Sequence, residues 1–182
     1  MNDIKNNKFF RHTLLTLLTL CVISLNGCGL GYTAHDIYPE QYQTVAVPIF
    51  ENRTFWNSSR YTGLEADLAE ALAKEVESRT PYKVASPATA DTIIQGTITG
   101  FEQRVITRKR EGNVPEQMEI IMTVNFEWKD QRTSQTIVDR KGYQAIGRYT
   151  PTRPVNELLS IGQHQAISRM ANQIVNTMRT NW

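Results

Sequence analysis

Cys28 lies in a setting that favours chemical modification of its sulfur. Residues 25–28 read LNGC, with an aliphatic residue three positions before the cysteine and a small residue directly before it. This pattern resembles a lipobox, the motif at which diacylglycerol is attached to the thiol, the chain is cut before the cysteine and the new amine is acylated. Each buried methylene contributes about 0.8 kcal/mol, so two or three acyl chains anchor a chain firmly to a membrane. We therefore expect Cys28 to be a lipidation site.

The first 27 residues have the features of a signal peptide. A short basic stretch with Lys5, Lys8 and Arg11 precedes an apolar run of 13 residues, Thr13–Leu25. That run is shorter than the roughly 20 residues of a transmembrane helix, and it matches the length of a signal-peptide core. The sequence thus predicts a removable lipoprotein signal peptide over residues 1–27. The alternative is an ordinary secretory signal followed by an incidental cysteine.

Residues 28–41 connect the expected anchor to the rest of the chain. They contain glycines and Pro39 and show no periodicity, so we expect them to form a lipidated tether. Residue 29 is glycine rather than aspartate, which by resemblance to the enterobacterial sorting rule favours the outer membrane. Because Cys21 belongs to the predicted signal peptide, Cys28 is the one cysteine of the expected mature chain, which excludes an internal disulfide and a thiolate metal site.

One cluster of basic residues stands out in the second half of the sequence. It directly follows a predicted strand and precedes a loop that reads GNVP, and its members are Arg104, Arg108, Lys109 and Arg110. Arginine pairs well with phosphate because its planar guanidinium forms two parallel hydrogen bonds. We therefore hypothesise that this cluster binds a phosphorylated ligand or a partner surface. The alternative is a solvated hairpin tip.

The remaining polar residues do not indicate catalysis. Without the predicted signal peptide the chain has 17 basic and 17 acidic side chains, a balance that predicts no nucleic-acid partner. The two histidines of the expected mature chain are His35, in the tether, and His164, in a predicted helix where a solvated side chain is the ordinary reading. No metal-ligand spacing, nucleophile motif or phosphate-binding glycine loop is present. We predict no enzyme activity, no metal and no cofactor.

Periodicity predicts the fold class. Alternating and β-branched runs indicate strands, and apolar residues recurring every three or four positions indicate two amphipathic helices. Strands are predicted at 44–50, 90–103, 117–129 and 136–145, with a short strand candidate at 82–85, and helices at 64–78 and 156–178. This order predicts an α+β two-layer sandwich within a single domain at 42–182. In it, two helices pack on one face of a roughly four-stranded mixed sheet, in the order β-α-β-β-β-α.

Individual residues refine this prediction. The even alternation over 117–129 is typical of an antiparallel strand with one buried face. Pro48 cannot donate to a sheet, so it should lie at an edge or a bulge. Gly96 and Gly100 are placed on one face of their strand and suggest a bulge or a close approach. Asn156 is a candidate cap for the last helix.

Several short motifs make the chain similar to a known family. They are VAVPIFENRT at 45–54, RTPYKV at 79–84, and Ala90-Asp91 followed by Gly96-Thr97-Ile98. With the lipobox before them, they resemble the lipopolysaccharide-assembly lipoprotein family, LptE, and the resemblance covers about residues 42–178. The C-terminal half matches by pattern alone. Two residues stand between the Cys-Gly pair and Tyr32, where family members often have the aromatic residue directly, and this difference concerns only the tether.

The resemblance implies a role without catalysis. A member of this family sits at the periplasmic face of the outer membrane, held by its lipid anchor. It plugs and supports a large β-barrel partner of the LptD type, which inserts lipopolysaccharide into the outer leaflet, and it can bind lipopolysaccharide itself. On this reading the basic cluster would contact lipid A phosphates or the interior of the barrel.

A different class of function is an alternative. Subunits of secretion pores and periplasmic adaptors, such as curli-secretion proteins and the N-terminal domain of TolB, also have a strand that reads like VAVxxF. A pore would need an amphipathic hairpin with about 9–11 residues in each spanning strand. The predicted strand at 117–129 is long enough, but its partner at 136–145 contains Asp139, Arg140 and Lys141, which suit lipid poorly.

Overall fold

The computed structural model of the chain describes residues 38–54, 63–108, 115–151 and 155–179. These residues form six strands and two long helices. The elements are β1 (Thr44–Ala46), β2 (Glu51–Asn52), α1 (Leu64–Arg79), β3 (Lys83–Val84), β4 (Thr92–Arg108), β5 (Pro115–Asp130), β6 (Thr136–Tyr149) and α2 (Val155–Asn176). The predicted strands and helices are therefore found in their predicted order.

All six strands belong to one mixed sheet. The order across it is β3-β1-β4-β5-β6, and β2 lies beside β4 on the same side as β1. β1 and β2 run parallel to β4, whereas β4, β5 and β6 are antiparallel to one another. The predicted α+β class is confirmed. The predicted number of about four strands is slightly low, because the first strand is split in two and the short β3 adds another.

The split in the first strand occurs at Pro48. The chain leaves the sheet after β1 and returns at β2, so Pro48 lies at an irregularity, as predicted. Within this segment Phe50 turns inward and is 2% exposed, while Ile49 turns outward and is 68% exposed. Gly96 makes room for the inward ring: a Cβ atom there would lie 2.7 Å from Cε1 of Phe50 and 2.4 Å from the carbonyl oxygen of Asn125.

A bulge divides β4 into two halves. Ile98 pairs with Val124 and Gly100 pairs with Thr123, so Thr99 is an extra residue on β4. Ile98 and Phe101, three positions apart, are therefore both buried in the core. The prediction that Gly100 shares a face with Ile98 was wrong, because the bulge turns Gly100 to the other side of the sheet.

The first helix matches its prediction closely. Leu64, Leu68, Leu72 and Val76 are all buried, as their spacing of four residues requires. Gly63 precedes the helix with a φ of 90°, a backbone angle that favours glycine. The loop before the helix contains Ser58, Ser59 and Thr62 as possible caps from the sequence, and all three lie outside the described residues. At the other end the chain becomes extended at Thr80, as expected for a residue before proline.

The second helix begins one residue earlier than its proposed cap. α2 starts at Val155, so Asn156 lies inside the helix and the prediction that it is the N-cap was wrong. Ala166, Met170 and Ile174 are completely buried against the sheet. At Gly162 the helix backbone rests directly on β6, and a Cβ atom on Gly147 would lie 2.0 Å from the Gly162 carbonyl oxygen.

An aromatic cluster closes the end of the sheet at which β4 begins. The ring centroids of Tyr38 and Tyr82 lie 5.9 Å apart, those of Tyr82 and Trp128 6.2 Å, and those of Tyr42 and Trp128 6.0 Å. The Tyr82 hydroxyl donates a hydrogen bond of 3.0 Å to the carbonyl of Pro39, and burial raises the pKa of Tyr82. Tyr38, which falls in the segment expected to be tether, is therefore part of the core.

Candidate functional site

The basic residues singled out in the sequence lie near the end of the β4–β5 hairpin. β6 pairs with β5 only as far as Met118, but β4 and β5 remain paired as far as Arg108 and Pro115. A two-stranded arm, Ile106–Arg108 with Pro115–Gln117, therefore extends beyond the edge of the three-stranded part. Arg104 lies two residues before the arm and Arg108 lies at its tip. Lys109 and Arg110 fall outside the described residues.

Arg104 belongs to a row of charges that crosses three strands. It pairs in register with Glu119 of β5, which in turn pairs with Arg148 of β6. The Arg104 guanidinium also lies 3.3 Å from the carboxylate of Glu102, and both side chains are more than 60% exposed. Exposed ion pairs stabilise a fold by only about 0–1 kcal/mol, so this pair holds the Arg104 side chain weakly. The guanidinium therefore remains accessible to an anionic ligand.

The described charges at this end are balanced. Three arginines and three glutamates are found there, and they are Arg104, Arg108 and Arg148 with Glu102, Glu116 and Glu119. Sequence reasoning missed Arg148, because its place beside Glu119 depends on the register between β5 and β6. It also missed how closely the glutamates alternate with the arginines. The geometry therefore offers separate guanidinium groups and not one strongly positive patch.

The sheet face that α1 and α2 leave uncovered, which we call the open face, carries mainly polar side chains, with Ile121 and Ile146 paired among them. Its middle is held by side-chain hydrogen bonds between neighbouring strands. The Thr99 hydroxyl donates to the carbonyl of Thr123 at 3.3 Å, and the Gln144 amide donates to the Thr123 hydroxyl at 3.4 Å. Toward β2, the Thr97 hydroxyl donates to a carboxylate oxygen of Glu51 at 3.4 Å. These contacts fix the orientation of exposed polar side chains on this face.

A groove of about 620 Å³ crosses the open face. Pro48 and Ile49 form one side of it, and Asp139 and Lys141 of β6 form the other. In its floor, Glu127 accepts hydrogen bonds from Lys129 and from Gln95, and these bonds lower the pKa of the Glu127 carboxyl. The groove therefore combines an exposed apolar side chain with charged groups of both signs.

Two motif residues of the family resemblance have structural roles. Asp91 accepts three hydrogen bonds of 2.9 Å, from the backbone N–H groups of Gln43 and Thr44 and from the Thr44 hydroxyl. These bonds, led by the one from Gln43, lower the pKa of Asp91 and fix the start of β1. Asn52 accepts bonds from the N–H and hydroxyl of Thr54, which forms the turn that its sequence predicts.

Neither a candidate metal site nor a candidate membrane-spanning helix occurs among the described residues. Within the ranges given above, no three His, Cys, Asp or Glu side chains come together in a way that would hold a metal ion. None of the helices described is both long enough and apolar enough to span a membrane. His164 is exposed on α2, in agreement with its predicted solvated position. Cys28 and His35 lie outside the described residues.

Two solved structures with TM-scores above 0.5 share the fold at low sequence identity. A hypothetical protein of Chlamydia trachomatis matches with a TM-score of 0.51 at 12% identity, over 75% of this chain and 97% of that one. A protein of Xanthomonas campestris matches with a TM-score of 0.52 at 10% identity, over 75% of this chain and 83% of that one. The rare lipoprotein B of Shewanella oneidensis gives a TM-score of 0.46 at 14% identity, over 75% and 93%.

The sequence itself identifies the family. No curated protein matches the chain. The family model of the lipopolysaccharide-assembly proteins, LptE, matches residues 42–181, which is nearly all of the sequence after the predicted signal peptide and tether. The chain therefore belongs to the LptE family of lipopolysaccharide-assembly proteins.

Proposed function

We propose that this protein is an outer-membrane lipoprotein that supports and plugs a β-barrel of the LptD type and assists the assembly of lipopolysaccharide. Membership of the LptE family supports the general role. The observation that carries the more specific role is the polar open face of the sheet, with its hydrogen-bonded threonine and glutamine side chains. On this proposal the protein has no catalytic step of its own.

The open face suits the interior of a large barrel. The lumen of such a barrel is polar, because the strands alternate between lipid-facing apolar residues and inward polar residues. A plug must therefore present hydrogen-bonding groups and leave few of them without partners. The open face presents hydroxyl, amide and charged groups across β4, β5 and β6, and its groove would accept a loop or side chain from the barrel wall.

The anchor is the second part of the proposal. Residues 1–27 would be removed, Cys28 would carry the acyl chains, and residues 28–41 would lead to the domain at 42–182. The lipid anchor would hold the protein at the periplasmic face of the outer membrane. Mass spectrometry of the native protein tests this: the expected N-terminal peptide begins at an acylated Cys28. An intact leader or an unmodified thiol would refute the placement.

Copurification tests the barrel partner. The full chain, tagged at its C-terminus and solubilised from outer membranes, should bring down one large barrel protein in a one-to-one complex. The variant T99R/Q144R adds two bulky charges to the open face and should lose the barrel. A66R/S78R adds the same charges to exposed positions of α1 and should retain it.

Three other results would count against the proposal. Recovery of the barrel with both variants would show that the open face is not the contact. A self-assembled ring without a barrel would favour the alternative, a secretion or adaptor subunit. Failure of the unmodified chain to bring down any barrel would reject the proposed partner itself.

Lipopolysaccharide binding at the basic cluster is a further part of this proposal. Arg104, Arg108, Lys109 and Arg110 would contact lipid A phosphates, and the exposure of Arg104 and its weak ion pair support this role. Reversing the charges at 108–110 to glutamate should reduce binding of lipopolysaccharide micelles at least tenfold. K83E, a reversal at the exposed β3, is the matched control. Unchanged binding by the triple variant would show that the cluster is a solvated hairpin tip.

A further inference from the structure

β6 is the last strand on one side of the sheet, and it is long. It runs over 14 residues and pairs with β5 alone among the described strands. One row of its backbone N–H and C=O groups therefore faces away from the sheet. Such an edge can pair with a strand of another chain unless something covers or disrupts it.

Two side chains of α2 occupy the second half of this edge. The backbone N–H of Arg148 donates a hydrogen bond of 3.2 Å to the side-chain oxygen of Gln165. The carbonyl of Ile146 accepts a hydrogen bond from the Arg169 guanidinium. Residues two apart in a strand direct these groups to the same side, and residues four apart in a helix lie on the same face. The two bonds therefore satisfy consecutive outward groups of β6.

The position of α2 makes this arrangement rigid. The helix backbone at Gly162 touches β6 at Gly147, where a Cβ atom would lie 2.0 Å from the Gly162 carbonyl oxygen, and a Cβ atom on Gly162 would lie 2.7 Å from the Tyr149 ring. Gln165 lies one turn after Gly162 and Arg169 lies one turn further. Both side chains thus start close to the strand and reach its edge.

In the first half of β6, other features oppose pairing along the outward edge. Arg140 pairs in register with Phe126, so it lies on the helix side of the sheet, and its charged side chain is exposed there. A charged side chain on an edge strand opposes pairing with another strand. The strand is then bent at Gly142, which has a φ of 64° and donates its N–H to the Asn125 side chain at 2.7 Å.

We propose that Gln165 and Arg169, by bonding outward backbone groups of the β6 edge, keep the chain from associating with copies of itself through strand pairing. The two halves of the edge are protected differently, one by side chains of α2 and the other by a charge and a bulge. Removing the side chains of Gln165 and Arg169 would leave the outward groups of the edge free to bind a second β6. This inference concerns the number of copies in an assembly and does not depend on the identity of a barrel partner.

The test measures the mass of the full chain in detergent by sedimentation velocity. Q165A/R169A should form dimers, so its protein mass doubles as concentration rises, whereas the unmodified chain stays at one copy. Q165E/R169K keeps an acceptor and a donor and should also stay at one copy. H164A/R179A removes two exposed side chains, one on α2 and one just after it, for which the described residues show no bond to β6, and it is the control.

A third substitution tests the route of association. R148P removes the outward N–H donor, so adding it to Q165A/R169A should restore a single copy. The proposal is overturned if Q165A/R169A stays at one copy at every concentration, or if R148P leaves its association unchanged. If the double variant loses its helical circular dichroism, R169A alone is measured, and the same two outcomes decide.

Discussion

The two ends of the β4–β5 hairpin differ in how their polar and aromatic residues are used. At the end where β4 begins, Trp128 and Tyr82 are buried, and Asp91 accepts three hydrogen bonds from Gln43 and Thr44 at the start of β1. At the other end, Arg104 is exposed, and its ion pair with Glu102 is exposed to solvent as well. The first end stabilises the domain, whereas the second leaves charged groups accessible. Substitutions at the two ends should therefore affect different measurements.

The largest effect on stability is expected at the aromatic cluster. Trp128→Ala removes a side chain that is 2% exposed and should lower the free energy of unfolding by about 3–5 kcal/mol. Ile106→Ala, next to the arm's tip, removes a side chain that is 43% exposed and should change it by less than about 0.5 kcal/mol. Urea denaturation followed by circular dichroism measures both. Equal losses would mean that the arm is as well packed as the cluster.

The glycines of β4 provide the next comparison. Gly96→Ala places a Cβ atom 2.4 Å from the Asn125 carbonyl oxygen, so the backbone must shift, at a cost of about 1–3 kcal/mol. Gly100→Ala meets only the Thr123 side chain, at 3.3 Å, and should be close to neutral. The midpoints of thermal unfolding of the two variants test this order. A Gly100 variant less stable than the Gly96 variant would contradict it.

Asp91 should make stability depend on pH. Its pKa is lowered in the folded state, so its contribution is present above the unfolded value of about 3.9 and is lost as pH falls below it. Asp91→Asn should remove this part of the acid dependence. It should also cost on the order of 1 kcal/mol at neutral pH, because the three bonds are partly screened by water. Urea midpoints between neutral and acidic pH measure both effects, and parallel curves for the two proteins would refute the assignment.

The smallest effect on stability is expected at the basic end. R104A/R148A should change the free energy of unfolding by less than about 0.5 kcal/mol, since both side chains are exposed. On the proposed function the same variant should weaken binding of lipopolysaccharide micelles. Glu119→Gln, which removes the negative charge between the two arginines, should strengthen it. Binding that is the same for all three proteins would remove these residues from the proposed site.

The sequence predicted those elements whose periodicity is long and regular. The buried positions of β5 from Ile120 to Trp128 and the leucines of α1 follow directly from periods of 2 and of about 3.6 residues. The glycines at 96 and 100 did suggest a bulge or a close approach in β4, and both occur, but the sequence did not predict that Thr99 is the extra residue or that Tyr38 is buried. Both depend on which residues meet across the sheet, and this is set by tertiary packing and not by local propensity.

The candidate site was predictable only in part. Clustering along the chain pointed to Arg104 and Arg108, which do lie near one end of a hairpin. The same clustering could not reveal Arg148 or the intervening Glu119, because those neighbours are established by strand register. The contact of Gln165 and Arg169 with the β6 edge could not be predicted either, because the periodicity of a helix does not indicate which strand edge lies beside it.

The extra residue at Thr99 changes which of the alternating side chains face the core in the second half of β4. Were β4 paired without interruption, Glu102 and Arg104 would point into the hydrophobic layer and Phe101 would point into water. The extra residue allows Ile98 and Phe101, which are three positions apart, to face the same side of a sheet in which side chains otherwise alternate every two residues. A chain shortened by Thr99 alone should therefore keep every later side chain on its present face, whereas loss of one residue within 101–105 should invert the residues that follow.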